Sequence, residues 1–73
     1  MTRYAVQSVV FDKPHFTVPE AIKWLQRHDF KHPKVDETDN KLRFRQEPPH
    51  FDSFFTKRIR KHISLIIGYY DTI

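Results

Sequence analysis

Lys41, Arg43 and Arg45 alternate with Leu42, Phe44 and Gln46 along one short run. Strand side chains alternate between two faces, so this spacing puts three cations on one face and Leu42, Phe44 and Gln46 on the other. Lys57, Arg58, Arg60 and Lys61 follow a few residues later. Residues of this type bind phosphate by charge attraction and counterion release, and nearby aromatic rings can stack on unpaired bases. Phe51, Phe54 and Phe55, with Tyr69 and Tyr70, are the rings available for such contacts or for docking onto a protein. If the two basic runs pair as neighbouring strands, the seven cations form one patch. The same alternation also describes an edge strand guarded by charge against aggregation. The LRFRQ run lacks the glycine and the aromatic spacing of an RNP1 motif.

Other chemistries find less support. His28 and His32 stand four apart, but Pro33 is adjacent, no cysteine accompanies them and no HExxH occurs. Asp36, Glu37 and Asp39 lack the glycine and terminal glutamate of a calcium loop. Ser8, Ser53 and Ser64 lie in no nucleophile elbow or SxxK motif. A single glycine in the chain excludes a P-loop or a dinucleotide fingerprint. We therefore expect no catalytic residues, no metal and no cofactor, and a protein that is not an enzyme.

The elements that must position these residues follow from the hydrophobic pattern. The chain has 73 residues, one domain over 1–73, with no cysteine. Its core must rest on apolar packing, much of it from seven Phe, three Tyr and one Trp. Tyr4–Phe11 predicts a strand apolar on both faces, hence central. Asp12–His15 predicts a turn. Thr17 and Glu20 form a capping box with Pro19 in the first turn, and Phe16 is placed to staple onto Ala21. Val18, Ala21, Ile22 and Leu25 then make one helical stripe with Trp24 at its margin, ending near His28-Asp29. Lys34–Thr38 predicts a short polar strand and Asp39-Asn40 a two-residue hairpin turn, since both residue types tolerate positive φ. Lys41–Gln46 returns, and Pro48-Pro49 end it. Phe51–Phe55 reads as irregular, Thr56–Ile59 as a possible strand, Arg60–His62 as a turn and Ile63–Tyr70 as the last strand. Gly68 marks a bulge or a close backbone approach. Phe11, Phe30 and Phe44 are expected in the core. There is no repeat, low-complexity tract or linker. The expected class is α+β, in the order β-α-β-β-β with room for one strand more: one amphipathic helix on a small, mostly antiparallel sheet. Its other face is left without cover from this chain.

Charge is distributed unevenly. The net +4 arises because residues 1–40 are balanced, whereas Glu47 and Asp52 are outnumbered by the cations of 41–62. That part of the chain is expected to meet an anionic partner, nucleic acid or an acidic protein surface. Met1-Thr2-Arg3 is followed by no signal-peptide core, and Leu65-Ile66-Ile67 is far too short to span a bilayer. A soluble, non-secreted protein is expected.

Three segments together resemble a family of small, largely uncharacterised proteins of tailed phages and large DNA viruses. They are Ala5–Lys13, the helix Phe16–Leu25, and Val35–Asn40 with Leu42–Gln46; Thr56–Ile59 and Ile63–Gly68 match its usual ending. A similar segment appears near phage head-maturation proteases. The chain departs from the pattern at His28-Asp29 and at Arg60-Lys61-His62, where the family often carries glycine. The resemblance implies a viral context, in the virion or the infected cell, and a non-enzymatic role; it carries no catalytic residues. The first expectation is a structural or assembly module that binds virion or assembly proteins through the uncovered sheet face and the aromatic segment, with oligomerisation open. The alternative is nucleic-acid binding through Lys41, Arg43, Arg45, Lys57, Arg58, Arg60 and Lys61. A third is inhibition of a host protein.

Overall fold

The computed structural model describes residues 2–48 and 50–71. Five strands and one helix run β1 (Thr2–Asp12), α1 (Val18–Arg27), β2 (Asp36–Glu37), β3 (Lys41–Arg45), β4 (Ser53–Arg60) and β5 (Ile63–Asp71). The strands form one antiparallel sheet in the order β2-β3-β1-β5-β4. The class is α+β, and β1 is central as its apolar faces require.

The core lies between α1 and one face of the sheet. Val9 sits opposite Phe44 on one side and Leu65 on the other; Phe11 sits opposite Leu42 and Ile63. Val9, Phe11, Leu42, Phe44 and Ile63 are buried together with Ala21 and Leu25 of the helix. Phe11 is the hub, with edge-on contacts to Phe16, Trp24 and Phe44 at centroid distances of 5.1, 5.7 and 5.7 Å. Such ring pairs add directional attraction to the burial of apolar area. Phe30 packs against the edge of this cluster.

The helix begins and ends for local reasons. The Thr17 hydroxyl accepts from the Glu20 N–H at 3.4 Å, and Glu20 Oε1 accepts from the Thr17 N–H at 3.0 Å. Both arms of the capping box are present. At the other end Phe30 N–H donates to Leu25 O at 2.9 Å and Asp29 N–H to Gln26 O at 3.4 Å. This is the Schellman pattern, which needs a left-handed residue at its corner. Asp29 supplies it, with φ of 59°. An aspartate fills this corner without glycine, because Asp enters the left-handed region more readily than most residues.

Several boundaries differ from expectation. Asp39 and Asn40 do make the β2–β3 turn, closed by Thr38 N–H to Lys41 O at 2.9 Å. The positive φ values nonetheless fall at Asp29 and at His62 (69°), not at Asp39 or Asn40. Ser53–Phe55, expected to be irregular, belong to β4, because they pair with Tyr69, Gly68 and Ile67 of β5. Neither bulge is at Gly68: one lies in β1 between Val6 and Ser8, opposite Ile67 and Ile66, and one in β4 between Arg58 and Arg60, opposite Ser64 and Ile63. Gly68 is the close approach. A Cβ there would meet the Phe51 ring at 2.3 Å.

The sheet is longer than the helix that covers it. Strand β3 reaches only Ser8 of β1, whereas β5 pairs with β1 from Thr2 to Phe11. Beyond the bulge the first part of β1, the last part of β5 and the first part of β4 therefore continue as a three-stranded extension. The molecule measures 41 × 21 × 20 Å. No helix among the described residues is long and apolar enough to cross a membrane.

Candidate binding surface on the open sheet face

The register sorts the expected contact residues onto faces. Arg45 lies opposite Ser8, Arg43 opposite Val10, and Lys41 opposite Asp12. These pairs alternate with the core pairs, so they stand on the face away from α1. On the far side of the sheet Arg58 is opposite Ser64 and Thr56 opposite Ile66, on the same open face. Phe54, opposite Gly68, shares it. Lys57 and Phe55 alternate with these residues and point to the helix side. Arg60 is opposite Ile63 where β4 bulges, and Lys61 is in the turn that follows.

The two basic strands do not pair. Strands β1 and β5 lie between β3 and β4, so three inter-strand spacings, about 14 Å, separate the two sets of cations. What the open face does bring together is Arg43 and Arg45 with the aromatic segment. One groove of about 400 Å³ is lined by Gln7, Arg43, Arg45, Phe54, Thr56 and Ile66. A second depression of about 270 Å³, lined by Val10, Asp36, Thr38, Lys41, Arg43 and Ile66, shares Arg43 and Ile66 with it. Together they make a furrow with Val10 and Ile66 in its floor, the cations of β3 on one side and Phe54 and Thr56 of β4 on the other, with Asp36 of β2 beside Arg43. Phe51 lies at the furrow's end over Gly68, 4.9 Å from the Tyr70 ring and 5.7 Å from Phe54.

Not every cation is equally available. The Lys41 ammonium is joined to the Asp12 carboxylate, which holds that carboxyl below its ordinary range; His62, 3.4 Å from the other oxygen, adds to the effect. Arg43 and Arg45 are exposed. Opposite Arg43 on β2 stands Asp36, also exposed.

Residues that composition does not single out complete the surface. Gln7 is the bulged residue of β1; its carbonyl accepts from Gln46 N–H at 2.7 Å and Glu47 N–H at 3.2 Å. Its side-chain amide donates to Glu47 O at 3.0 Å, and Ser8 Oγ donates to its carbonyl oxygen at 2.6 Å. This buried glutamine turns the chain out of β3, whose next residues lead to Phe51 and β4. The side chain of Gln46 pairs with the Lys31 backbone in both directions, at 2.8 and 2.7 Å, tying the segment after the helix to the end of β3. Tyr4, 64% exposed, was expected inside a central strand. It sits instead on the helix side of the extension with Phe55 and Tyr69, centroids 6.3 and 5.8 Å away, where α1 does not reach. The only signal for it in sequence is that β1 is longer than β3, and strand pairing lengths are not written in hydrophobic pattern.

Among the described residues no group of three or more His, Cys, Asp or Glu is placed to hold a metal ion. Comparison with protein-family models, with curated proteins and with solved structures finds no match.

Proposed function

We propose that the protein is a non-enzymatic binding module, and that its partner is a structural or assembly protein of a virus, held on the open sheet face. The viral context rests on the resemblance of Ala5–Lys13, Phe16–Leu25 and Val35–Gln46 to small phage and large-virus proteins. The observation that carries the binding role is the furrow, in which Arg43 and Arg45 stand on one side and Phe54 on the other, across Ile66. Phe54 is 45% exposed, which is large for a Phe on a soluble domain's strand. Aromatic residues and arginine are the side chains most often found as energetic anchors of protein interfaces. An acidic surface bearing one or two apolar side chains is the matching chemistry.

The test is a photo-crosslinking amino acid in place of Phe54 during infection. The expected product is an adduct with one virion or assembly protein, lost when Arg43→Glu and Arg45→Glu are added. Adducts confined to nucleic acid, or none in purified particles and lysate, would overturn this reading.

One observation favours a second reading. Arg43, Arg45 and Arg58 share a face with the Phe51, Phe54 and Tyr70 rings. That combination suits a single nucleic-acid strand, phosphates on the arginines and bases on the rings. Three phosphate contacts correspond to a log–log salt slope of about −2 for a single strand, whereas seven would give about −5. Titration of an oligonucleotide across salt distinguishes these values, and absence of binding at low salt removes the reading.

A further inference from the structure

We propose that β4 pairs along its outer edge with β4 of a second copy, antiparallel and about a two-fold axis at Phe55, so that two sheets join into one. The contact goes beyond the open-face reading, because it uses the backbone of the sheet's edge and not the furrow.

Strand β4 closes the order β2-β3-β1-β5-β4, and among the described residues no backbone bond reaches its outer side. Which of its groups face outward follows from the ladder. Asp12 N–H donates to His62 O at 2.9 Å, continuing the register in which Ser8 faces Ile66 and Val10 faces Ser64. Bonded and non-bonded pairs alternate along an antiparallel ladder, so His62, Ser64 and Ile66 bond β1 whereas Ile63 and Leu65 bond β4. Lys57, opposite Leu65, and Phe55 with it therefore turn their N–H and C=O inward; Phe54 and Thr56 turn theirs outward. This edge is also apolar. Of the four large apolar side chains exposed among the described residues, Phe54, Phe55 and Ile59 belong to β4. Soluble domains usually guard an edge with proline, lysine or a bulge. Here Lys57, Arg58, Arg60 and the bulge guard the second half alone, whereas Ser53–Thr56 carries no cation and no proline.

The two halves complement each other in an antiparallel pair. Facing residues share a face of the sheet, and a two-fold axis normal to it keeps both helices on one side. Outward-bonding residues must also meet outward-bonding residues, so the axis falls on a residue. Charge selects Phe55. With the axis there, Phe54 bonds the second copy's Thr56, Lys57 faces its Ser53, and the two Lys57 stand about 14 Å apart. An axis at Thr56 would bring the two lysines to about 8 Å, and would run the pairing into the bulge after Arg58. An axis at Phe54 would set Lys57 against Phe51, where the chain has left the edge to lie over Gly68. The Phe55 axis instead carries each Arg58 to the exposed Asp52 before the other copy's strand. On the helix side Phe55 meets its own copy in a non-bonded pair, the closer of the two kinds. Each Phe55 already touches Tyr4 and Tyr69, at centroid distances of 6.3 and 6.0 Å, so two exposed aromatic clusters become one strip. Nothing obstructs the approach among the described residues: Phe51 stays on the open face, and α1 packs over Val9, Phe11, Leu42 and Phe44, toward the other side of the sheet.

Sedimentation equilibrium, run up to the solubility limit, tests the contact. The intact protein should dimerise. Thr56→Pro should raise the dissociation constant about tenfold or more, because it removes one bonding N–H on each side of the axis. The monomer should stay folded by circular dichroism, since proline is tolerated where the N–H points away from the sheet. Arg43→Glu, in the furrow, should leave the dimer intact. Amide exchange of the unmodified protein gives a reading that needs no variant: protection of Phe54 and Thr56 should rise with concentration far more than that of Phe55 and Lys57. A monomer at all concentrations, a dimer that folded Thr56→Pro retains or that Arg43→Glu breaks, or concentration-independent exchange at Phe54 and Thr56 would each overturn the proposal.

Discussion

Single residues decide how the open face is built. Gly68 is required because the Phe51 ring occupies the place of its side chain. Gly68→Ala should lower stability by about 1–3 kcal/mol, the usual range for overpacking. Urea denaturation measures this, and Phe51→Ala in the same chain should recover part of the loss, since the two positions compete for one space. Asp12 is the second case. Its carboxyl titrates below the ordinary 3.8 because Lys41, and then His62, favour the charged form. A depressed folded-state pKa stabilises the protein fully above the unfolded value and is lost as pH falls through the folded one. The excess stability of the natural protein over Asp12→Asn should thus be constant near neutrality and disappear below about pH 4. The pair is solvent-screened, so the excess should be within about 1 kcal/mol. Urea midpoints of the two proteins at several pH values show whether the curves converge in acid.

At the scale of elements the helix is the most self-contained. Thr17, Pro19 and Glu20 start it by interactions within a few residues, and the capping box is legible from spacing alone. Thr17→Ala removes the acceptor for the Glu20 N–H and should cost about 1 kcal/mol, read as a lower thermal midpoint with an otherwise native circular-dichroism spectrum. The apolar stripe was equally legible: Ala21 and Leu25 are buried as their spacing requires. The strands were less so. Lys41–Arg45 follows a strict buried-exposed alternation, because one face meets the core and the other meets solvent. In β4 all but the first residue are exposed, so no alternation of burial tells which face is which. Its aromatic start looked irregular for that reason. The Asp39-Asn40 turn was placed correctly, but its backbone does not use the positive φ those residues permit. Glycine-free left-handed corners appear at Asp29 and His62, where closure of the helix and of the last hairpin demands them.

At the scale of the molecule, strand order is the decisive quantity. An order that put β3 beside β4 would have gathered the basic residues into one patch. The observed order β2-β3-β1-β5-β4 separates them by two strands and leaves an apolar furrow between. It also leaves β1 central at one end and on the edge at the other. The sequence by itself determined what local forces govern: the α+β class, the capped amphipathic helix and the alternation that exposes Arg43 and Arg45. Those depend on side-chain period and on contacts a few residues apart. Only the tertiary structure decided which strands are neighbours, which cations share a face and how far the sheet outruns its helix. These depend on pairings between distant segments, Ser8 with Arg45 and Ile66 among them. The choice between such pairings is made by the packing of the whole core, which no local pattern encodes.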